Sequence, residues 1–222
     1  DGSTYVATGA AFQVACVAGK YSTDGTGACA DIDNGKQGQS SDAADGSTYV
    51  ATGAAFQVAC VAGKYSTNGT GECADIDNGK QGQSSDAADG STYVATGAAF
   101  QVACVAGKYS TNGTGECADI DNGKQGQSSD AADGSTYVAT GATHQVACVV
   151  GKYSTDGTGA CVACTGTRTT SGTGSALITD CKCPAGTYAS TAANDNAGTC
   201  DDIGNGKQGQ SSDAADGSTY VA

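Results

Sequence analysis

Apolar and polar residues alternate over short stretches of this chain, and long polar connections separate those stretches. In Ala10–Ala18 the residues Phe12, Val14 and Cys16 fall on one side, and glutamine, alanine and valine alternate with them on the other. A period of two is that of a β-strand, whose successive side chains point to opposite faces. We therefore predict a strand over Ala10–Ala18 and a shorter one over Ser3–Ala7.

Glycine-containing turns divide these stretches from the rest of each copy. Thr8-Gly9 and Gly19-Lys20-Tyr21 predict chain reversals, and Asp24-Gly25 is a tight-turn dipeptide. Asp31–Ser41 has Ile32 as its only large apolar residue and is predicted to be mostly loop. No stretch has the periodicity of a helix. Each copy therefore predicts one or two small hairpins, which need disulfides and contacts between copies for stability.

The chain repeats itself every 44 residues. Residues 45–88 and 89–132 are identical, and residues 1–44 differ from them only at Asp24 and Ala28. The predicted organisation is repeat 1 over 1–44, repeat 2 over 45–88, repeat 3 over 89–132, repeat 4 over 133–215 with a cysteine-rich cassette at 162–200, and the start of another repeat at 216–222. Because the sequence opens and closes on the same seven residues, we expect it to belong to a longer array, each copy of which contacts mainly its neighbours.

Composition excludes a large core. The 222 residues include 35 glycines, no tryptophan and no methionine, and small side chains bury little apolar area. The expected fold class is all-β or irregular and disulfide-rich: an elongated tandem array of 44-residue small hairpin repeats with no single large core. The net charge of −13 argues against nucleic-acid binding. No apolar run in this fragment is long enough for a transmembrane segment.

Twelve cysteines at regular spacing predict disulfides in an oxidising, extracellular compartment. With sequential pairing, the cassette adds two closed disulfide loops and leaves the pairing in the four copies unchanged. The predicted pairs are Cys16–Cys29, Cys60–Cys73, Cys104–Cys117, Cys148–Cys161, Cys164–Cys181 and Cys183–Cys200. Pairing across the long connections, as in Cys29–Cys60, is the alternative, and it leaves Cys16 without a partner. The close pairs around Cys161 and Cys181 also suggest metal thiolates, but zinc usually requires two facing pairs, often with histidine.

One element of the sequence has a known counterpart. The loops C-V-A-G-K-Y-S…C and C-P-A-G-T-Y-A-S…C resemble the first submodule of tumour necrosis factor receptor repeats. They also resemble the related ephrin-receptor-like cysteine-rich repeats of protist and algal surface and fibre proteins, such as ciliate surface antigens and mastigonemes. The cassette, from Cys161 through Cys183-Pro184-Ala185-Gly186-Thr187-Tyr188, matches best. The resemblance implies sequential pairing within each loop, although a standard copy has fewer cysteines than a receptor module.

Little in the sequence points to chemistry beyond disulfides. The sequons at Asn68 and Asn112 are candidate N-glycosylation sites on exposed turns. Alternating acidic residues before a glycine are candidate calcium ligands, with a solvated acidic loop as the alternative; they are Asp31, Asp33, Asp75, Asp77, Asp119 and Asp121. His144 replaces Phe12 of the first copy, and nothing near it in the sequence completes a site. No nucleophile–base pair predicts an enzyme.

Two functions fit this description. The first is an extracellular structural protein that forms or coats a fibre, with further copies of itself as its partner. The second is a cell-surface antigen or an adhesion stalk built of receptor-like modules, with the cassette as its binding face. Ice binding fits less well, because the threonines do not form regular rows at a period of two.

Overall fold

The structure is a computed structural model that describes residues 5–43, 49–86, 93–130, 136–189, 199–205 and 207. Among these residues there are short β-strands, turns and a single 3-10 turn at Ile178–Asp180, and no α-helix. Two compact units are present, Asp1–Ala118 with Thr140–His144 and Asp119–Ala139 with Gln145–Ala222. Buried side chains form small clusters. The predicted class of repeated small hairpins, rich in disulfides and without one large core, is confirmed.

The first type of hairpin lies within one copy and closes the disulfide loop. Strand β1 (Lys20–Tyr21) pairs antiparallel with β2 (Ala30–Asp31). The chain enters β1 through Gly19, whose φ of 80° lies in the left-handed region that glycine adopts without strain. The equivalent strands are β5 (Lys64–Tyr65) with β6 (Ala74–Asp75), β9 (Lys108–Tyr109) with β10 (Ala118–Asp119), and β13 (Lys152–Tyr153) with β14 (Val162–Ala163). In the cassette, β15 (Thr187–Ala189) pairs with β16 (Cys200–Asp202).

The second type of hairpin joins successive copies. Strand β3 (Lys36–Gln39) of the first copy pairs antiparallel with β4 (Phe56–Ala59) of the second, with Gln37 opposite Val58. The equivalent pairs are β7 (Lys80–Gln83) with β8 (Phe100–Ala103) and β11 (Lys124–Gln127) with β12 (His144–Ala147). The prediction that Asp31–Ser41 is mostly loop missed this strand at Lys36–Gln39. Hydrophobic periodicity does not detect the strand K-Q-G-Q, because the residues that alternate along it are glutamines and not apolar side chains.

The K-Q-G-Q strand is covered along both edges. Opposite β4, the amide of Val50 donates to the carbonyl oxygen of Gly38 at 3.0 Å, and Gln39 forms a bridge with Tyr49. The predicted strands are correspondingly shorter than expected. The counterpart of Ala10–Ala18 in the second copy is a strand over Phe56–Ala59, and the counterpart of Ser3–Ala7 forms the Tyr49 bridge within its described residues, 49–51.

The first copy has neither of these elements. Residues 10–18 form no strand, and residues 5–7 form none either. Ser3 and Thr4 lie outside the described residues. In later copies the counterparts of these residues pair with the K-Q-G-Q strand of the preceding copy, whereas residues 10–18 pair with none of the described strands.

Glutamine side chains occupy the centre of each copy–copy contact. Gln81 and Gln83 are 1% and 0% exposed. The side-chain oxygen of Gln81 accepts a hydrogen bond from the backbone amide of Cys117 at 2.8 Å. Between the two glutamines, Gly82 packs so tightly that an added Cβ would lie 2.8 Å from the Cβ of Ala98. Gln81 is stable in this buried position because its side-chain carbonyl satisfies a buried backbone donor.

We expect Gln81→Leu to lower the free energy of unfolding by about 1–3 kcal/mol, because the amide of Cys117 loses its buried acceptor. Chemical denaturation followed by circular dichroism measures the loss. Gln13→Leu is the matched control, since Gln13 is exposed in the first copy and its replacement leaves no buried donor unpaired. Equal effects of the two substitutions would contradict this role of Gln81.

Contacts extend beyond adjacent copies. The amide of Cys104 donates to the carbonyl oxygen of Gly79 at 2.9 Å, and the amide of Gly141 donates to the carbonyl oxygen of Cys104 at 2.7 Å. An added Cβ on Gly79 would lie 2.2 Å from the carbonyl oxygen of Gly141. The second, third and fourth copies therefore meet at one point. The sequence predicts contacts mainly between neighbouring copies and does not predict this contact between the second and fourth.

The cassette takes the place of a following copy. The amide of Gly174 donates to the carbonyl oxygen of Cys148 at 2.7 Å, as Gly141 does to Cys104. Tyr153 forms a parallel bridge with Ser175, where the corresponding tyrosines of earlier copies meet an alanine. A different sequence thus covers the fourth disulfide loop in the same way.

Candidate functional site

The cysteines are joined in sequential order. The pairs are Cys16–Cys29, Cys60–Cys73, Cys104–Cys117, Cys148–Cys161, Cys164–Cys181 and Cys183–Cys200. No cysteine is free, so no thiolate remains to hold a metal. The loops span 13 residues in the copies and 17 in the cassette, and closing loops of this size restricts the unfolded chain.

The turn inside each disulfide loop presents its asparagine or aspartate to solvent. The side-chain oxygen of Asn68 accepts hydrogen bonds from the amide and hydroxyl of Thr70, at 3.1 and 2.8 Å. Asp24 makes the same two contacts with Thr26, both at 2.9 Å. The hydrogen bond from the Thr26 amide lowers the pKa of Asp24. Because the acceptor is an oxygen in both residues, asparagine and aspartate are interchangeable for the turn.

The residue after the asparagine contacts the preceding copy. Gly69 is buried, and an added Cβ on it would lie 2.5 Å from the carbonyl oxygen of Ile32. Asn68 itself is exposed, and so is Asn112. Each sequon therefore lies at a copy–copy contact with its asparagine on the solvent side.

Five of the six candidate calcium ligands form ion pairs with a lysine. Asp31 pairs with Lys20 at 2.6 Å, and Asp33 pairs with Lys36 at 2.8 Å. The hydrogen bond from the Lys36 ammonium lowers the pKa of Asp33. In later copies the printed ion pairs are Lys64–Asp75, Lys80–Asp77 and Lys124–Asp121. Among the described residues, no three acidic, histidine or cysteine side chains converge as metal ligands.

We expect chelation with EDTA to leave the melting temperature unchanged, because each paired carboxylate already has an ammonium partner. Differential scanning calorimetry with and without EDTA measures this. A fall in melting temperature that added calcium reverses, but magnesium does not, would instead support the calcium site.

The remaining singled-out side chains serve structural contacts. The hydroxyl of Thr143 lies 2.8 Å from Nδ1 of His144, and His144 is half-buried, like its counterparts Phe56 and Phe100. Tyr21 forms a parallel bridge with Ala54 of the next copy. Its hydroxyl accepts a hydrogen bond from the side-chain amide of Gln57 at 3.3 Å.

Sequence reasoning missed the glutamines that join the copies. The side-chain oxygen of Gln57 accepts from the amide of Asp33 at 2.9 Å, and that of Gln37 accepts from the amide of Cys73 at 2.8 Å. Each glutamine therefore binds the backbone of a neighbouring copy. One signal was available: K-Q-G-Q recurs unchanged after the cassette, at 207–210, although the fourth copy differs elsewhere.

Comparison with known proteins adds no relative. No protein-family model and no curated protein matches the chain. Within the described residues, no helix has the length and hydrophobicity to cross a bilayer. Six disulfides in 222 residues are typical of an oxidising, secreted or extracellular environment.

Proposed function

We propose that this chain is an extracellular structural repeat protein that forms or coats a fibre at the cell surface. The observation that carries the proposal is the copy–copy hairpin, in which K-Q-G-Q of one copy pairs with the A-A-F-Q-V-A segment of the next. The contact between the first and second copies recurs with the same residues between the second and third, so that adding a copy of this sequence adds one more equal interface. Equal interfaces in series are what an extended polymer needs.

The composition supports the same proposal. Cross-linked loops keep their spacing outside the cell, where no cytosolic reductant opens them. A net charge of −13 favours solubility and opposes collapse of neighbouring arrays. The proposed partners are therefore further copies of this array, and neither nucleic acid nor a reactive substrate is required.

Electron microscopy of the native material tests this function. A periodic filament that antibodies against the chain decorate along its length is the expected image. Separate, flexible stalks that project from a membrane would contradict the fibre and favour the second function.

The second function is a cell-surface antigen or adhesion stalk with receptor-like cysteine-rich modules. The cassette favours it, because its apolar side chains Leu177, Ile178 and Tyr188 are 55%, 38% and 50% exposed. Exposed apolar groups within one segment suit a binding face. The resemblance of the cassette loop to tumour necrosis factor receptor and ephrin-receptor-like repeats points in the same direction.

We further propose N-glycans at Asn68 and Asn112, which are exposed. After secretion from a eukaryotic host, the intact mass should exceed the polypeptide mass and fall on peptide N-glycosidase treatment. The double variant Asn68→Asp and Asn112→Asp should lose the glycans and keep its melting temperature, because Asp24 and Asp156 already make the same turn. An intact mass equal to that of the polypeptide would contradict this proposal.

A further inference from the structure

Asparagine–glycine pairs recur along the described copies, and each combines an exposed asparagine with a buried glycine. They are Asn34-Gly35, Asn68-Gly69, Asn78-Gly79, Asn112-Gly113 and Asn122-Gly123. Asparagine deamidates most readily before glycine, because glycine has no Cβ to hinder attack by its own backbone nitrogen. The second and third copies therefore carry two reactive dipeptides each, and the fold decides whether they react.

Deamidation uses the backbone nitrogen of the glycine as its nucleophile. This nitrogen bonds to Cγ of the asparagine, the bond from Cγ to Nδ2 breaks, and ammonia leaves with the proton of the glycine amide. Water then opens the resulting succinimide ring at one of its two carbonyl carbons. Opening at Cγ gives aspartate, whereas opening at the main-chain carbonyl gives isoaspartate, which has one extra methylene in the main chain.

The turn at Asn68 polarises the carbon that would be attacked. Oδ1 of Asn68 accepts hydrogen bonds from the amide and the hydroxyl of Thr70, at 3.1 and 2.8 Å. Oδ1 of Asn112 accepts the same two from Thr114, at 3.2 and 2.9 Å. Donors in this position stabilise the oxygen that becomes negative when a nucleophile adds to the carbonyl. The turn thus favours attack at Cγ, and any restraint must act on the glycine nitrogen.

A buried serine holds that nitrogen. The amide of Gly69 donates to Oγ of Ser66 at 3.1 Å, and the amide of Gly113 donates to Oγ of Ser110 at 3.1 Å. Both serines are 7% exposed, and both glycines are buried. To attack Cγ, the nitrogen must leave this acceptor and lose its proton in a buried site, where a charged intermediate is poorly solvated.

The same serine also restrains a pair in the preceding copy. The amide of Gly35 donates to the main-chain carbonyl oxygen of Ser66 at 2.6 Å, and the amide of Gly79 donates to that of Ser110 at 2.6 Å. The hydroxyl and carbonyl oxygens of one serine therefore bind the glycine amides of two Asn-Gly pairs. Because the second bond crosses the copy boundary, docking of one copy on the next protects an asparagine of the earlier copy.

We propose that Asn68 and Asn112 are latent deamidation sites, and that Ser66 and Ser110 suppress the reaction by holding the amide that would attack. When a copy opens, the glycine nitrogen leaves its serine and the reaction begins. Deamidation at these residues therefore records how often each copy opens over the lifetime of the protein. The inference concerns single copies and goes beyond the proposed fibre, on which it does not depend.

The two products differ in their effect on the fold. Aspartate preserves the turn, because Asp24 accepts the same two hydrogen bonds in the first copy. Isoaspartate lengthens the main chain next to Gly69, where an added Cβ would lie 2.5 Å from the carbonyl oxygen of Ile32. Opening of a copy therefore leads to a tolerated exchange when aspartate forms and to a damaged copy–copy contact when isoaspartate forms.

Ser66→Ala tests the restraint, and the identical third copy supplies the control in the same molecule. The full chain is secreted to the bacterial periplasm, so that its asparagines carry no glycan, and is aged at alkaline pH with its disulfides intact. Tryptic peptides 65–80 and 109–124 then differ in mass through the substitution, and their fragment masses locate the modified residue. We expect Asn68 to deamidate faster than Asn112 by about fivefold or more.

Asn34 is a second control, because the substitution retains the main-chain oxygen of Ser66 that binds the amide of Gly35. Its rate should equal that in the unaltered chain. Equal rates at Asn68 and Asn112 in the Ser66→Ala chain would overturn the role of the hydroxyl.

A comparison without any variant tests the protection itself. Reduction and alkylation of the unaltered chain should raise deamidation at all the Asn-Gly pairs, because unfolding frees every glycine amide from its serine. Equal rates in the folded chain and in the reduced chain would overturn the proposal. Both measurements are made on chains in solution, so their outcome is independent of whether micrographs of the native material show filaments or stalks.

Discussion

Gly79→Ala will be among the most destabilising single substitutions in this chain, lowering the free energy of unfolding by about 2–5 kcal/mol. Two costs add. Gly79 has a φ of 76°, and an L-residue in the left-handed region costs about 1–2 kcal/mol. The new methyl would also lie 2.2 Å from the carbonyl oxygen of Gly141, and relieving such overpacking typically costs about 1–3 kcal/mol.

Two other glycines separate these costs. Gly25 has a φ of 70° and nothing within 4 Å of an added Cβ, so Gly25→Ala should show the backbone cost alone. Gly71 also has open space around it, and its φ is not in the left-handed region, so Gly71→Ala should be close to neutral or slightly stabilising. Urea denaturation of the three variants measures the series. If Gly79→Ala and Gly25→Ala lose the same free energy, three copies do not meet at Gly79.

Removing the disulfide Cys104–Cys117 will cost about 3 kcal/mol or more. Closing a loop with a separation of 13 residues accounts for about 3 kcal/mol in the chain-entropy model. Packing adds to this, because the two cysteines are 1% and 3% exposed and the amide of Cys117 is held by Gln81. Cys104→Ser with Cys117→Ser, studied by denaturation and limited proteolysis, is the variant to measure.

The first copy supplies the comparison within the same molecule. Cys16–Cys29 closes a loop of the same length, but Cys29 is half-buried, whereas Cys117 is 3% exposed. Replacing this pair by serines should therefore lose the loop-closure contribution with little packing cost. A smaller loss for Cys104–Cys117 than for Cys16–Cys29 would show that contacts between copies do not support the disulfide loop.

Much of the local structure follows from the sequence, and most of the assembly does not. The 44-residue period and the hairpin character of the described residues depend on spacing and on glycine turns, which act over a few residues. The turn at Asp24 illustrates this, since its side chain bonds only to Thr26. Such local contacts are readable because both partners are close in the chain.

The contacts between copies depend on partners that local patterns do not reveal. Gln37 is a buried residue because its side-chain oxygen meets the amide of Cys73, a separation of 36 residues. Hydrophobic periodicity assigns glutamine to the surface, so Lys36–Gln39 was predicted as loop. The candidate calcium ligand Asp33 likewise pairs with Lys36, and counting acidic oxygens does not anticipate a lysine that folds back on them.

The hairpin that crosses the copy boundary also bears on how the gene can change. Each of the first three copies gives a strand to the copy that follows it, so insertion or deletion of one full period of 44 residues among these copies leaves those strands partnered. Recombination between the identical second and third copies produces such whole-period changes at any crossover point. A partial deletion instead removes a strand or the segment that pairs with it. An array of this design can therefore change in length by whole periods of 44 residues and keep the same contacts between copies.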